Sequence, residues 1–341
     1  MSDELRIAVL GVGMMGADHV ARITSKIAGA RVAVVNDYFF DKAENLAATI
    51  PGCRATADPI DAIADPDVDA VLLATPGPTH EKQLLACLEH GKPVLCEKPL
   101  TTDVETSLAV VKAEAALGKT LIQVGFMRRF DTEYAELKAL IDSGDLGRPL
   151  VVHCAHRNPE VPPNFDSAMI VKDSLVHEVD VTRFLLDEEI ASVQIITPSA
   201  NSNAPEGLQD PQIALFATES GRHVDAEVFV TTGVAYEVRT EVVGELGSAM
   251  IGLDVGLVRK TKPGTWGGQI TPSFKERFGQ AYDVEIQRWV DAVKAGADTG
   301  NYIDGPGAWD GYAAAAVCEA GVKSLESGER VAVEMVRRSS I

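Results

Sequence analysis

The sequence predicts an α/β protein in which a doubly wound, parallel-sheet domain precedes an α+β domain with a mostly antiparallel sheet. Two observations predict this order. Over roughly the first 125 residues, short and nearly continuous apolar runs alternate with helical patterns, which is typical of parallel strands covered on both faces. Beyond that point, polar and apolar residues alternate, as in antiparallel strands with one covered face. We therefore expect one domain over residues 1–125 and a second over residues 126–341.

Each element of the first domain is predicted from its local pattern. Apolar β-type runs predict strands over residues 6–10, 31–36, 70–74, 93–96 and 121–124. Helical spacing of the apolar residues predicts helices over residues 14–28, 41–50, 79–90 and 103–117, and Thr79 is the expected N-cap of the third. The repeated strand–helix–strand order predicts the parallel sheet.

The second domain changes rhythm. Helical patterns are predicted over residues 131–142, 171–186, 275–295 and 308–327, and a strand over residues 150–155. The alternation over residues 191–253 predicts several further strands, interrupted by a long loop over residues 201–211 that is rich in Asn, Pro and Gly.

Composition excludes several classes of function. The 341 residues are 46% hydrophobic and 24% charged, which suits about two globular domains. A net charge of −19 argues against nucleic-acid partners and against docking on an anionic membrane. No apolar run approaches the ~20 residues of a membrane span, and the start of the sequence predicts no signal peptide. The odd number of widely spaced cysteines favours reduced thiols in a cytoplasmic protein over disulfides or a zinc site.

A glycine-rich turn is the first candidate binding element. The pattern G-x-G-x-x-G is formed by Gly11, Val12, Gly13, Met14, Met15 and Gly16. It follows a predicted strand and opens a predicted helix, whose N-terminus would face phosphate groups. Asp37, about 20 residues further on, ends the second predicted strand and can accept hydrogen bonds from a ribose. The alternative is a tight turn without a ligand, but strand, helix and acid together favour a Rossmann dinucleotide site.

Asp37 also indicates which dinucleotide is used. Its carboxylate would repel a 2′-phosphate, and the residues that follow, at positions 38–40, supply no arginine to hold one. NAD is therefore expected rather than NADP.

Polar residues follow two predicted strands that end at the ligand crevice of such a sheet. Thr75, Pro76 and His80 follow the strand over residues 70–74, and Glu97-Lys98-Pro99 follows the strand over residues 93–96. A lysine at this place could stabilise an oxygen that gains negative charge during a reaction. The alternative is an ordinary solvated surface lysine.

Asp173 and His177 lie four residues apart in a predicted helix and therefore share one face. A histidine suits proton transfer near neutral pH, and a carboxylate can orient it. The alternative is an ordinary surface pair. The histidines show no metal-ligand spacing, so no metal site is expected.

The sequence argues against two other catalytic motifs. Tyr134 and Lys138 form Y-x-x-x-K, the pair of short-chain dehydrogenases, but those enzymes carry the different glycine pattern G-x-x-x-G-x-G. We expect both residues to serve the helix surface and its packing. The nucleophile elbow G-x-S-x-G of serine hydrolases is missing from the sequence.

The order of these motifs resembles the glucose–fructose oxidoreductase, inositol dehydrogenase and rhizopine catabolism (Gfo/Idh/MocA) family over essentially the whole chain. The most specific motif is Glu97-Lys98-Pro99. The stretch HCAHRNP at residues 153–159, and Arg128 within GFMRRFD, are similar to the branch of the family that oxidises myo-inositol. The branch commonly has tyrosine where this chain has Phe130, a departure that does not touch the expected chemistry.

The resemblance implies NAD-dependent oxidation of myo-inositol at C2 to scyllo-inosose (2-keto-myo-inositol). By this analogy Lys98, Asp173 and His177 are catalytic, and the substrate contacts are Arg128, Asn158, Asp173, His177 and Tyr236. The expected cofactor contacts are the residues of the glycine-rich turn, Asp37, Thr75, Pro76, His80, Glu97 and Lys98. The resemblance also implies a homo-oligomer, a tetramer rather than a dimer, with the open face of the second sheet between subunits.

Two alternatives stay open from the sequence. The substrate could be another cyclitol or sugar, such as scyllo-inositol, D-chiro-inositol or glucose. The chain could instead be an NAD-binding regulator without turnover, although Lys98, Asp173 and His177 are all present.

Overall fold

The computed structural model describes residues 4–252 and 271–341 of the chain. The strands are β1 (Leu5–Leu10), β2 (Ala30–Asn36), β3 (Arg54–Thr56), β4 (Ala70–Leu73), β5 (Val94–Glu97), β6 (Ile122–Gly125), β7 (Pro149–Arg157), β8 (Ile190–Ile196), β9 (Gln212–Thr218), β10 (His223–Phe229), β11 (Glu237–Gly244), β12 (Ser248–Ile251) and β13 (Val331–Ala332). The α-helices are α1 (Met14–Ser25), α2 (Phe40–Ala47), α3 (Pro59–Ala64), α4 (His80–Glu89), α5 (Val104–Ala116), α6 (Thr132–Ser143), α7 (Ser167–Met169), α8 (Val176–Leu186), α9 (Phe274–Arg277), α10 (Gly279–Ala295) and α11 (Ala308–Ser327).

The described residues fall into two compact units. The first contains those of Met1–Met127, Ala281–Ala315 and Met335–Ile341, and the second those of Arg128–Gln280 and Ala316–Glu334. The predicted boundary between residues 125 and 126 separates a stretch expected to bind the cofactor from one expected to bind the substrate. This division stays a prediction.

The first unit is built on a parallel sheet with the strand order β3-β2-β1-β4-β5-β6. The chain runs outward in one direction from β1 to β3 and in the other from β4 to β6, so the order reverses between β1 and β4. This is the doubly wound Rossmann arrangement, in which ligands bind outside the carboxyl ends of the strands at the reversal point. The predicted fold of this part is confirmed, and the short β3 and α3 are added to it.

Helix α10 contributes to the core of the first unit although it lies far along the sequence. Ile286, Trp289, Val290 and Val293 recur at helical spacing and are buried in the same cluster as the apolar residues of β1 and β2. Trp289 has 0% exposure. The stretch after residue 280 therefore completes the hydrophobic layer against the parallel sheet.

The second unit is built on a seven-stranded sheet with the order β12-β11-β7-β10-β9-β8-β13. Within the described residues, β10 pairs with β7 in parallel, and the other pairings of this sheet are antiparallel. The sheet is therefore mixed, and the expectation of a mostly antiparallel sheet is only partly confirmed. Residue Leu253, which ends the predicted alternation, lies outside the described residues.

Two helix predictions need correction. Thr79 occupies the predicted N-cap position of α4, but its hydroxyl donates to the carbonyl oxygen of Pro76 at 2.8 Å and makes no capping hydrogen bond to the helix, because residues Gly77–Thr79 form a 3₁₀ turn. The helix predicted over residues 171–186 begins earlier, with α7, and passes through a π-helical segment, Ile170–Leu175, before α8. This wider turn carries Asp173, and π-turns inside helices frequently mark functional sites.

The described part of the chain holds no helix long and apolar enough to cross a membrane. In residues 4–252 and 271–341, the His, Cys, Asp and Glu side chains also form no group that could hold a metal ion.

Candidate active site

The glycine-rich turn joins β1 to α1 at the point where the strand order reverses. Gly11 has a φ of +82°, and a Cβ atom there would lie 2.6 Å from the carbonyl oxygen of Ala74. A Cβ atom on Gly16 would lie 1.8 Å from the carbonyl oxygen of Gly11. These two glycines are required by the protein's own packing.

The middle glycine is different. A Cβ atom on Gly13 would meet nothing within 4 Å, so this side of the turn faces open space. Gly13 is the N-cap of α1 and has no side chain that could accept a hydrogen bond from the first N–H groups of the helix. The helix begins at Met14, and Met15 follows. Free N–H groups and the positive end of a helix dipole, beside a backbone that a ligand can approach closely, fit the pyrophosphate of a dinucleotide.

Asp37 follows β2 and is bonded to the turn. One carboxylate oxygen accepts a hydrogen bond from the backbone N–H of Val12, and the other accepts one from that of Phe39, each at 2.9 Å. The side chain is largely buried, at 9% exposure of the residue. The carboxylate is thus held at the carboxyl edge of the sheet beside the glycine-rich turn, and its predicted contact with a ribose stays a prediction.

His80 connects the loops that follow β4 and β5. Its Nε2 atom lies 2.8 Å from the carbonyl oxygen of Thr75, and its Nδ1 atom lies 2.8 Å from that of Pro99. The ring is 1% exposed. These two contacts make His80 a structural link between two loops, and its predicted contact with the cofactor, like those of Thr75 and Pro76, stays a prediction.

Lys98 lies directly beyond β5 and is partly exposed. Its backbone N–H donates to a carboxylate oxygen of Glu97 at 3.3 Å, and the peptide bond to Pro99 is cis. The Glu97 carboxylate also accepts a hydrogen bond from His19 of α1 at 2.7 Å. The loop that carries Lys98 is therefore connected to the helix that begins at the glycine-rich turn.

In the second unit, the predicted base His177 lies in the first turn of α8 and is buried, at 9% exposure. Asp173 lies in the preceding π-helical segment and is exposed. The structure thus keeps both residues on one continuous helical stretch.

A buried charged network lies beside His177, and sequence reasoning identified only one of its members. Arg128 donates to one carboxylate oxygen of Glu178, and Nδ1 of His156 donates to the other at 3.0 Å. All three residues are at most 2% exposed. Burial alone would raise the pKa of Glu178, but the Arg128 guanidinium and His156 hold that pKa at about 2.

The ring of His156 in this network also lies near the rings of two other predicted site residues. The ring centroid of His156 lies 6.2 Å from that of His177 and 5.7 Å from that of Tyr236. Burial raises the pKa of Tyr236, which keeps its hydroxyl protonated. Arg128, His177 and Tyr236, from three separate segments, are therefore brought together around His156 and Glu178.

Asn158 follows β7 and is fixed through its backbone. Its N–H donates to Phe229 at 2.9 Å, and its carbonyl oxygen accepts from the N–H of Thr232 at 3.0 Å. Its side-chain oxygen is buried and has no hydrogen-bond partner among the described residues, and the same holds for Nε of Arg128. One acceptor and one donor are therefore left for groups outside the described protein atoms.

Tyr134 and Lys138, which form the Y-x-x-x-K pattern, have the structural roles that we expected. The hydroxyl of Tyr134 is buried and hydrogen-bonded to Thr240 at 2.9 Å, and Lys138 pairs with Asp142 and Asp187. Both residues serve packing and surface charge.

A sheet of this order with a glycine-rich turn at its reversal point and a carboxylate after β2 defines a dinucleotide-binding protein. The chain belongs to the Gfo/Idh/MocA oxidoreductase family. Residues 5–126 match the family's NAD-binding Rossmann fold, and residues 138–333 match its C-terminal alpha/beta domain. The predicted family, the NAD cofactor and the class of NAD-dependent dehydrogenase are confirmed.

Individual relatives extend over the whole chain. An inositol 2-dehydrogenase of Rhodococcus erythropolis (strain PR4 / NBRC 100887) is 82% identical, covering 100% of this chain and 99% of the relative. An inositol 2-dehydrogenase of Rhodococcus jostii (strain RHA1) is 78% identical, with coverage of 100% and 95%. The crystal structure of myo-inositol dehydrogenase from Lactobacillus casei in complex with NAD(H) and myo-inositol is 35% identical, with a TM-score of 0.91 and 98% coverage of both chains.

Proposed function

We propose that this protein oxidises myo-inositol at C2 with NAD and forms scyllo-inosose. The observation that carries the substrate class is that two buried polar atoms of predicted substrate contacts, Oδ1 of Asn158 and Nε of Arg128, have no hydrogen-bond partner among the described residues. A hydroxyl group both donates and accepts hydrogen bonds, so a polyol can satisfy both kinds of atom. The relatives named inositol 2-dehydrogenase support an inositol as the substrate, and the similar Lactobacillus casei structure in complex with myo-inositol supports the choice of that isomer.

Each proposed catalytic residue has one task. His177 takes the proton of the C2 hydroxyl, and Asp173 orients the imidazole and favours its charged form. Lys98 stabilises the negative charge that develops on the C2 oxygen. When bound, NAD supplies the acceptor for the hydride that leaves C2.

The buried network has a supporting task in this proposal. Glu178 holds both Arg128 and His156, so the donors around the substrate keep one arrangement. Arg128, Asn158 and Tyr236 contact the hydroxyls that do not react, which fixes the orientation of the ring and selects the isomer. Residues 1–125 bind NAD, and residues 126–341 bind the polyol and form subunit contacts.

We also propose a cytoplasmic homotetramer in which the outer face of the second sheet is covered by a neighbouring subunit. Arg157 on this face pairs with Glu227 at 2.7 Å and with Glu237 at 3.1 Å. These residues border a cavity of about 460 Å³ whose lining is Arg157, Glu227, Phe229, Thr232, Val234, Ala235 and Glu237. Light scattering coupled to gel filtration is expected to give four times the chain mass; the mass of a single chain would refute the assembly.

A panel of polyols with NAD and NADP side by side tests the function. We expect reduced nicotinamide to form fastest with myo-inositol and NAD. Faster turnover of scyllo-inositol, D-chiro-inositol or glucose would move the assignment to another substrate of the same family. NAD binding without turnover of any polyol would favour a regulator.

A further inference from the structure

We propose that His19 is a positioning residue for Lys98 and acts through Glu97. This inference rests on the proposed role of Lys98 in the reaction. His19 lies on α1, one turn beyond the glycine-rich turn, and none of the chemistry described above uses it.

The carboxylate of Glu97 is shared between two groups. One oxygen lies 2.7 Å from Nε2 of His19 and can only accept, so His19 donates from Nε2. The other oxygen accepts from the backbone N–H of Lys98 at 3.3 Å. The carboxylate therefore bridges the ring of His19 and the backbone of the residue proposed to act on the substrate oxygen.

The bridge is held from several sides. His19 is 1% exposed, and its ring meets the ring of Tyr282 edge-on at 5.8 Å. Within the described residues, its Nδ1 atom meets no hydrogen-bond partner, so Glu97 is the polar group that fixes the ring. A Cβ atom on Gly125 would lie 3.2 Å from the second Glu97 oxygen, so the close backbone of β6 limits the carboxylate on that side.

The arrangement connects two tasks of the first unit. Helix α1 begins where the pyrophosphate of NAD fits, and the bridge runs from this helix to the loop of Lys98. A shift of Glu97 would move the Lys98 backbone, and a misplacement of about 1 Å can cost about a hundredfold in rate. His19 thereby holds Lys98 at a fixed position relative to the cofactor site.

A double-mutant cycle separates this role from a purely structural one. We expect His19→Ala to lower kcat about ten- to a hundredfold while KM for myo-inositol and Kd for NAD change much less. In a Lys98→Met background the same substitution should have no further effect on kcat, because its target is gone. His19→Gln, which can still donate to Glu97, should recover part of the rate, and His90→Ala, at an exposed position, is the control.

Each outcome decides a separate point. Loss of kcat in His19→Ala that adds fully to that of Lys98→Met would overturn the positioning role, as would a loss confined to NAD affinity. A normal kcat in Lys98→Met would instead overturn the proposed role of Lys98 itself. If His19→Ala does not fold, Glu97→Gln takes its place in the cycle: we expect a lowered kcat and no further loss of kcat beside Lys98→Met, and additive losses of kcat would again overturn the proposal.

Discussion

A carboxylate oxygen of Asp37 accepts a hydrogen bond from the backbone N–H of Val12 at 2.9 Å. This bond connects the acid after β2 to the glycine-rich turn after β1, so a carboxylate is held at a fixed place beside that turn. Its second oxygen is held by Phe39 in the same way. We propose that the charge of this carboxylate would repel a 2′-phosphate on the adenosine ribose of a cofactor bound at the turn and thereby favour NAD.

Replacing Asp37 by serine should therefore weaken NAD and relatively favour NADP. Loss of a charge-assisted contact to the ribose should cost roughly 1.5–3 kcal/mol of binding free energy. Titration of the variant with both cofactors measures the change, and Asp41→Ser, an exposed acid in the first turn of α2, is the control. An unchanged ratio of affinities would remove Asp37 from the ribose site.

Lys98→Met should lower kcat by ~10²–10³ because one electrostatic stabiliser of the developing alkoxide is lost. NAD should still bind, since the glycine-rich turn and Asp37 are untouched, and fluorescence titration checks this. Lys112→Met, at an exposed position of α5, should leave kcat unchanged. A rate close to that of the wild type would show that Lys98 takes no part in catalysis.

His177→Ala should lower kcat by ~10²–10⁴ and flatten the acid limb of the pH profile, if proton transfer limits the rate. The base must be neutral to accept a proton, so the wild-type rate should fall at low pH. In Asp173→Asn this limb should move to lower pH, because a neutral amide does not stabilise the imidazolium.

The readout for both variants is kcat/KM for a substrate deuterated at C2, since slow product release can hide the chemical step in kcat. His223→Ala, at an exposed position of β10, is the control. An acid limb that persists in His177→Ala would exclude His177 as the base.

Glu178→Gln should destabilise the fold by about 3–5 kcal/mol, because it leaves the buried Arg128 guanidinium without its counter-charge. Ordinarily at 4.5, the pKa of Glu178 is about 2 in the folded protein. A lowered folded-state pKa gives stability that is complete above about pH 4.5 and is lost as the pH falls toward 2.

Urea unfolding at several pH values tests this network. The difference in unfolding free energy between wild type and Glu178→Gln should shrink as the pH falls from about 4.5 toward 2. The exposed Glu326 provides the matched control, Glu326→Gln, which should differ little from wild type at any pH. A difference that stays constant over this window would show that the charge of Glu178 is not what stabilises the fold.

Local patterns explain why the first sheet was predictable. Each strand, its following helix and the turn from Gly11 to Gly16 lie in short contiguous stretches, so periodicity and glycine spacing contain the information. The place of α10 was not predictable in this way. Its apolar face, which includes Trp289, packs on strands more than 200 residues away in sequence, and an amphipathic helix does not specify which sheet covers it.

The second sheet shows a related limit. Alternation along β7 and β10 indicates which side chains face the core, but the pattern is the same for parallel and antiparallel neighbours. The charged network was missed for a different reason. Glu178 directly follows His177 in the sequence and resembles an ordinary helix-surface acid, whereas its partners Arg128 and His156 come from distant elements. The pairing of buried charges becomes visible only when the fold brings them together.

The proposed reaction is hydride transfer from C2 of myo-inositol to NAD. The most direct measurement uses myo-inositol that carries deuterium at C2, followed by mass spectrometry of the reduced cofactor. We expect the deuterium to appear in the reduced nicotinamide and kcat/KM to be lower than for the unlabelled substrate. Reduced cofactor without deuterium would place the oxidation at another carbon, and no reduced cofactor at all would contradict the proposed activity.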